Sequence, residues 1–148
     1  MRFDPPDDPS DYPYVHPVRV RFCETDAMAV VHHAAYLAYL EESRVAYLRA
    51  LGHPYDEVRA GGVEFPVLEV AVSYRRPLRF DDLVDVHVAL TSARAATFQM
   101  DYLLRARDRA ETCATAVTVH AVVDSQGRAA RVPAWLRALP RSAEAQKD

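Results

Sequence analysis

This sequence predicts an α+β domain, with one antiparallel five-stranded sheet wrapped around a single long central helix. Three observations predict it. One strand-like run precedes a long helical stretch. Four further strand-like runs follow, joined by connections short enough for hairpins. Strand and helix do not alternate as a parallel βαβ sheet requires.

The elements follow in order. Residues 1–14 set Pro5, Pro6, Pro9 and Pro13 among aspartates and read as a disordered or loosely packed arm. Val18, Val20 and Phe22 alternate with Arg19 and Arg21, the period of a strand with one buried face. After the connection Cys23 to His32, the pattern from about His33 to Leu51 becomes helical. Tyr36, Leu40, Tyr47 and Leu51 form one stripe flanked by Leu37 and Leu48, with Glu41, Glu42 and Arg49 opposite. Gly52 stands where a C-terminal cap belongs, and Glu41 and Arg44 read as an ion pair on the helix face.

A turn-rich segment from His53-Pro54 to Gly61-Gly62 leads into strand-like runs at about 63–75, 82–91, 95–106 and 112–123. Val70, Val72 and Tyr74 alternate in the first of these, and Val84, Val86, Val88 and Leu90 in the second. Val117, Val119, Ala121 and Val123 alternate in the last. Asp81-Asp82 and Asp124-Ser125-Gln126-Gly127 mark turns. Pro133 opens a short piece, Ala134 to Leu139, that packs Trp135 and Leu139 onto the body. The domain is expected at 15–140, with a frayed tail at 141–148. This is the hotdog arrangement. A single helix leaves sheet edges and part of a face uncovered, which predicts a homodimer or homotetramer.

Composition narrows the function. The chain has 148 residues, enough for one domain with a core of its own. A formal net charge of -3 argues against nucleic acid as a partner, which would call for a basic face. Cys23 and Cys113 form no metal-like spacing, so a reducing cytoplasm is the expected location. The acidic, proline-rich start is not expected to be a signal peptide, and no run is apolar enough to span a membrane. No cofactor is implied.

Chemistry concentrates in the connection before the helix, Arg21-Phe22-Cys23-Glu24-Thr25-Asp26-Ala27-Met28-Ala29-Val30-Val31-His32-His33. It sets a carboxylate, Asp26, beside a helix N-terminus, where backbone N–H groups can hold a developing oxyanion. The structural alternative for Asp26 is an N-cap or Asx turn, where aspartate is common. His32 and His33 with His16 or Glu24 would be a metal set only poorly, since adjacent helical residues diverge by about 100°. Glu64, beside Gly61-Gly62, reads as a solvated residue at the start of a strand.

These residues are similar to the 4-hydroxybenzoyl-CoA thioesterase family, and within it to the YbgC-type acyl-CoA thioesterases. The resemblance rests on Phe22-Cys23-Glu24-Thr25-Asp26, Val30-Val31-His32-His33, Ala34-Ala35-Tyr36 and Glu41-Glu42-Ser43-Arg44. Tyr74-Arg75-Arg76-Pro77, the following Asp81-Asp82 and the closing Val132-Pro133 extend it over about residues 17–139.

It implies hydrolysis of an acyl-CoA thioester to a free acid and CoA at a subunit interface. Asp26 would be nucleophile or general base. His33 would be a helper through its side chain and an oxyanion donor through its backbone. Tyr36 and His32 would line the acyl site, with Arg76 and Arg94 as the preferred contacts to CoA phosphates. The sequence departs from the family pattern at the bend, Ala27-Met28-Ala29 in place of a glycine, and at His32 and Phe22, where tyrosines are usual. An acyl-carrier-protein thioesterase and a non-catalytic acyl-CoA-binding module are the alternatives. The first would keep activity when Arg76 and Arg94 are neutralised, and the second would bind without turnover.

Overall fold

The computed structural model describes residues 3–139. The expected tail at 141–148 lies outside them. Among the described residues, helices α1 (Ala35–Ala50), α2 (Tyr55–Ala60) and α3 (Ala134–Arg137) accompany seven strands. The strands are β1 (Tyr14–Arg19), β2 (Val63–Glu64), β3 (Val67–Tyr74), β4 (Leu83–Arg94), β5 (Thr97–Ala106), β6 (Glu111–Ala121) and β7 (Val123–Asp124). β1, β4, β5, β6 and β3 pair in that order into an antiparallel five-stranded sheet, and β2 and β7 make a separate short ribbon.

Period-two alternation builds the core. Val84, Val86, Val88 and Leu90 of β4 join Phe98, Met100, Tyr102 and Leu104 of β5 in one apolar cluster with Tyr36, Tyr39, Leu40, Tyr47 and Leu48 of α1. The Gly52 expectation holds in detail. Gly52 has φ 84°, its N–H bonds the Arg49 carbonyl, and the His53 N–H reaches back to Leu48 at 2.9 Å. That is the Schellman pattern, which glycine favours because it has no Cβ to clash at positive φ. Trp135 stacks on His53 with ring centroids 3.9 Å apart, so α3 docks as expected.

Several expectations shift. β1 ends at Arg19, and Phe22 stands in a 3-10 turn, Phe22–Glu24, with 74% of its surface exposed. The run at 63–75 breaks at Phe65-Pro66 into β2 and β3. α2 occupies the segment expected to be turns.

On β6 the core face is the other one. Ala114, Ala116, Thr118 and His120 register against Leu104, Tyr102, Met100 and Phe98, whereas Val117, Val119 and Ala121 lie on the opposite face. The polar pair is tolerated inside because a chain of hydrogen bonds satisfies it. Arg44 Nη1 donates to the Tyr102 hydroxyl (3.3 Å), Tyr102 bonds Thr118 (2.9 Å), and Thr118 bonds His120 Nε2 (2.8 Å). His120 Nδ1 meets the Phe65 carbonyl (3.2 Å), an acceptor, which makes Nδ1 the protonated nitrogen. Arg44 therefore serves this chain, and among the described ion pairs none joins it to Glu41.

Two surfaces frame the site. Within the arm, Pro6 and Tyr12 are buried, the Tyr12 hydroxyl donates to the Pro6 carbonyl (2.7 Å), and Tyr12 packs with Ala89 and Leu103 on the sheet face away from α1. β3 is an edge strand, and Val67, Leu68, Val70 and Tyr74 on it are all exposed. Among the described residues no helix is long and apolar enough to cross a membrane.

Candidate active site

The connection before α1 folds as a miniature hairpin. Thr25 and Val31 form an antiparallel bridge, the Asp26 N–H donates to Val30 (2.9 Å), and the His32 N–H donates to Glu24 (2.8 Å). Ala27, Met28 and Ala29 make the tip, with Ala29 at φ 59°, the left-handed region that glycine occupies most cheaply. The outer limb is tied to the body by the Val31 N–H, which donates to the buried Leu78 at 2.8 Å.

Asp26 is half-buried at the base of this tip. Oδ1 accepts the Met28 N–H at 2.8 Å, an Asx turn, so the structural alternative for this residue is realised. The turn occupies only one carboxylate oxygen. Among the described residues no hydrogen bond takes up Oδ2, which leaves it for a reacting group.

His33 lies in the turn just ahead of α1, which begins at Ala35 and has no side-chain cap at Ala34. His32 does part of that work, its Nδ1 accepting the Ala34 N–H at 3.1 Å while its ring stacks on His33 with centroids 4.2 Å apart. The His32 Nε2 remains for a ligand. Among the described residues nothing takes up the His33 N–H, as an oxyanion donor requires.

Tyr36 is buried, its ring edge-on to Tyr74 (5.0 Å) and tilted against Tyr39 (6.0 Å). Burial pushes its hydroxyl pKa up to about 12, so it stays protonated at any working pH.

Arg76 is exposed in the turn that follows β3, its N–H on the Cys113 carbonyl (3.2 Å). Asp26, His32, His33, Tyr36 and Arg76 thus gather at one end of the sheet. Arg94 does not join them within a protomer. It ends β4, a strand whose first residue, Leu83, lies at the Asp26 end. At about 3.3 Å per residue, β4 separates the two by roughly 35 Å.

Two residues outside the expected set hold this geometry. Glu24, read from sequence as part of a motif and as a poor metal ligand, accepts the Tyr39 hydroxyl, the Arg21 N–H (2.9 Å) and the Arg21 guanidinium (2.8 Å). Burial would raise its carboxyl pKa, but the bonds from Tyr39 and Arg21 outweigh burial and leave it lowered. Tyr74, known from sequence only as part of a motif, donates its hydroxyl hydrogen to the His33 carbonyl at 2.9 Å. Glu64 pairs with Arg59 at 2.9 Å, as suits a surface residue. A cavity of about 420 Å³ lies elsewhere, lined by His53, Glu57, Val63, Arg131 and Trp135, and shares none of the expected site residues.

Comparisons with known proteins bear on this geometry. Residues 20–139 match the profile of the Thioesterase-like superfamily. The chain is 37% identical to a putative esterase of Aquifex aeolicus over 121 residues, covering 82% of this chain and 92% of that protein. It is 37% identical over 81 residues to the acyl-CoA thioester hydrolase YbgC of Escherichia coli, a match spanning 55% of this chain and 60% of the relative. Among solved structures, a hypothetical protein from Aquifex aeolicus superposes with a TM-score of 0.77 at 36% identity, covering 82% of this chain and 94% of that one.

Proposed function

This chain belongs to the thioesterase-like superfamily and is a thioester hydrolase, and we propose that it cleaves an acyl-CoA to the free acid and CoA through Asp26. The observation that carries this reading is a carboxylate with one oxygen anchored on the Met28 N–H and the other, among the described residues, unclaimed, beside a helix start whose His33 N–H is unclaimed by them too.

In the general-base route, water attacks the thioester carbonyl carbon as its proton passes to Asp26. The carbonyl oxygen becomes an oxyanion held by the His33 N–H, and collapse expels the CoA thiolate, which recovers the proton. In the nucleophilic route, Asp26 displaces the thiolate itself, and water then hydrolyses the mixed anhydride. The His33 side chain assists, Tyr36 and the His32 Nε2 face the acyl group, and Arg76 takes a CoA phosphate.

A two-fold pairing of β3 with the same strand of a second copy supplies the rest of the site. The exposed Val67, Leu68 and Val70 on an unpaired edge support it. Antiparallel pairing sets the Val67 end of one sheet against the Tyr74 end of the other. Arg94 stands at that Val67 end, since Ala93, Phe98, His120 and Val67 run in register across the sheet. Homodimer is the minimal assembly and a dimer of dimers the next. The compartment we propose is a reducing cytoplasm, given the two unpaired cysteines.

Free-thiol release from acetyl-, hexanoyl-, palmitoyl- and benzoyl-CoA tests the reaction. Multiple turnovers of at least one ester are expected. Thermal stabilisation by these esters without thiol release would replace the enzyme with a binding module.

A further inference from the structure

We propose that Tyr74 and the His32 ring are positioning residues that clamp His33 and aim its N–H at the developing oxyanion, an inference that rests on the thioesterase reading above. Because a peptide group is planar and trans, its C=O and N–H point in opposite directions, and fixing one fixes the other. Two consecutive peptide groups flank the His33 Cα.

The first, between His32 and His33, has its carbonyl held by the Ala35 N–H at 2.9 Å. The second, between His33 and Ala34, is held at both ends: its carbonyl accepts from Tyr74 (2.9 Å) and its N–H donates to His32 Nδ1 (3.1 Å). With both planes pinned, neither torsion of His33 is free, so its N–H has one direction. Oxyanion stabilisation depends on this, because a donor already aimed needs no reorganisation during the reaction.

Tyr74 suits the task from where it stands. It is the last residue of β3, its ring edge-on to Tyr36 in the first turn of α1, so the sheet and the helix hold the hydroxyl together. His32 works through a lone pair. Accepting the Ala34 N–H requires an unprotonated Nδ1, which fixes the tautomer with hydrogen on Nε2. The clamp uses the Tyr74 hydroxyl and the His32 Nδ1, neither of which needs to touch the ester. Each acts through the His33 peptide groups.

The test compares native protein, Tyr74→Phe, His32→Ala and His32→Asn on whichever of the four CoA esters is turned over fastest. Phenylalanine keeps the ring against Tyr36 and removes only the hydroxyl. Asparagine places Oδ1 at the same position along the side chain as Nδ1, restoring an acceptor. Losing a whole oxyanion donor costs about 10²–10³ in kcat, so a donor left in place but no longer aimed should lose about tenfold. The expected result is that kcat loss in both Tyr74→Phe and His32→Ala, and in Tyr74→Phe KM should stay within about twofold and Tm change little. His32→Asn should recover most of what His32→Ala loses. A merely structural role would lower Tm and leave kcat of the folded protein alone.

Native kcat in Tyr74→Phe, while Asp26→Asn still abolishes turnover, would overturn the clamp and leave the thioesterase reading standing. No turnover by the native protein of any ester would overturn both.

Discussion

Tyr39 donates its hydroxyl hydrogen to Glu24, joining the second turn of α1 to the 3-10 turn just ahead of Asp26. The bond fastens one limb of the hairpin that carries Asp26 to the helix, while Arg21 holds Glu24 in place within the turn. Glu24 is nearly buried, its side chain 10% exposed, so removing its charge leaves the Tyr39 and Arg21 donors poorly paired.

Glu24→Gln should therefore cost about 1–3 kcal/mol of stability, the range for charged hydrogen bonds in a buried setting. The sign with pH follows from the lowered carboxyl. A group whose folded pKa is depressed stabilises above its unfolded value and loses that contribution as pH falls through the folded one. The stability gap between native and variant should hold at neutral pH and close below pH 4.5, which denaturant titrations at several pH values will show.

The second pH effect runs through a histidine. His120 is fully buried against Phe98, and burial first, then Arg44, lowers its pKa to about 4 from 6.5. Below pH 6.5 the unfolded chain takes a proton that the folded one refuses, so stability falls between pH 6.5 and about 4. The loss is on the order of 3 kcal/mol at 1.36 kcal/mol per pH unit. His87, also lowered by burial, adds in the same direction. His120→Gln should flatten much of the Tm-against-pH curve across that window.

At the hairpin tip, Ala29 holds φ 59°. A non-glycine residue there costs about 1–2 kcal/mol, and glycine returns about 0.4–1 kcal/mol of that through a more flexible unfolded chain. Ala29→Gly should raise stability by up to about 1.6 kcal/mol, each kcal/mol being worth about 2–4 °C in Tm for a domain of this size. Calorimetry measures it directly.

Strand β3 makes its own prediction. Val70 is 40% exposed on an unpaired edge, and a two-fold pairing would bring the two copies of that region together. Val70→Asp should shift the sedimentation profile toward monomer, since like charges facing across a strand pair are destabilising. Turnover should fall with it if the site is shared. A monomeric native protein with full activity would contradict the interface.

Much of this molecule is legible in the chain itself. The α1 stripe and the Val84 to Leu90 alternation announce themselves because one face is buried continuously. α2 escapes notice because it spans one and a half turns and buries only Val58. The β6 face is misread because Thr118 and His120 look like surface residues until hydrogen bonds with the Tyr102 hydroxyl and the Phe65 carbonyl satisfy them. At the site, Asp26 and His33 stand in a recognisable local spacing. Tyr74 and Glu24 stand in motifs too, but their roles do not show there, because the bonds that make them matter reach 41 residues to His33 and 15 residues to Tyr39.

In the proposed reaction the Asp26 oxygen not held by the Met28 N–H carries the hydrolysis. Asparagine keeps an Oδ1 for the Met28 N–H, so Asp26→Asn should fold as the native protein does. The decisive measurement is free-thiol release by native and Asp26→Asn protein from the preferred acyl-CoA, at equal concentration and matched Tm. A fall of at least about a hundredfold is expected, within the range for a positioned acid–base group. Equal release by the two proteins would contradict it.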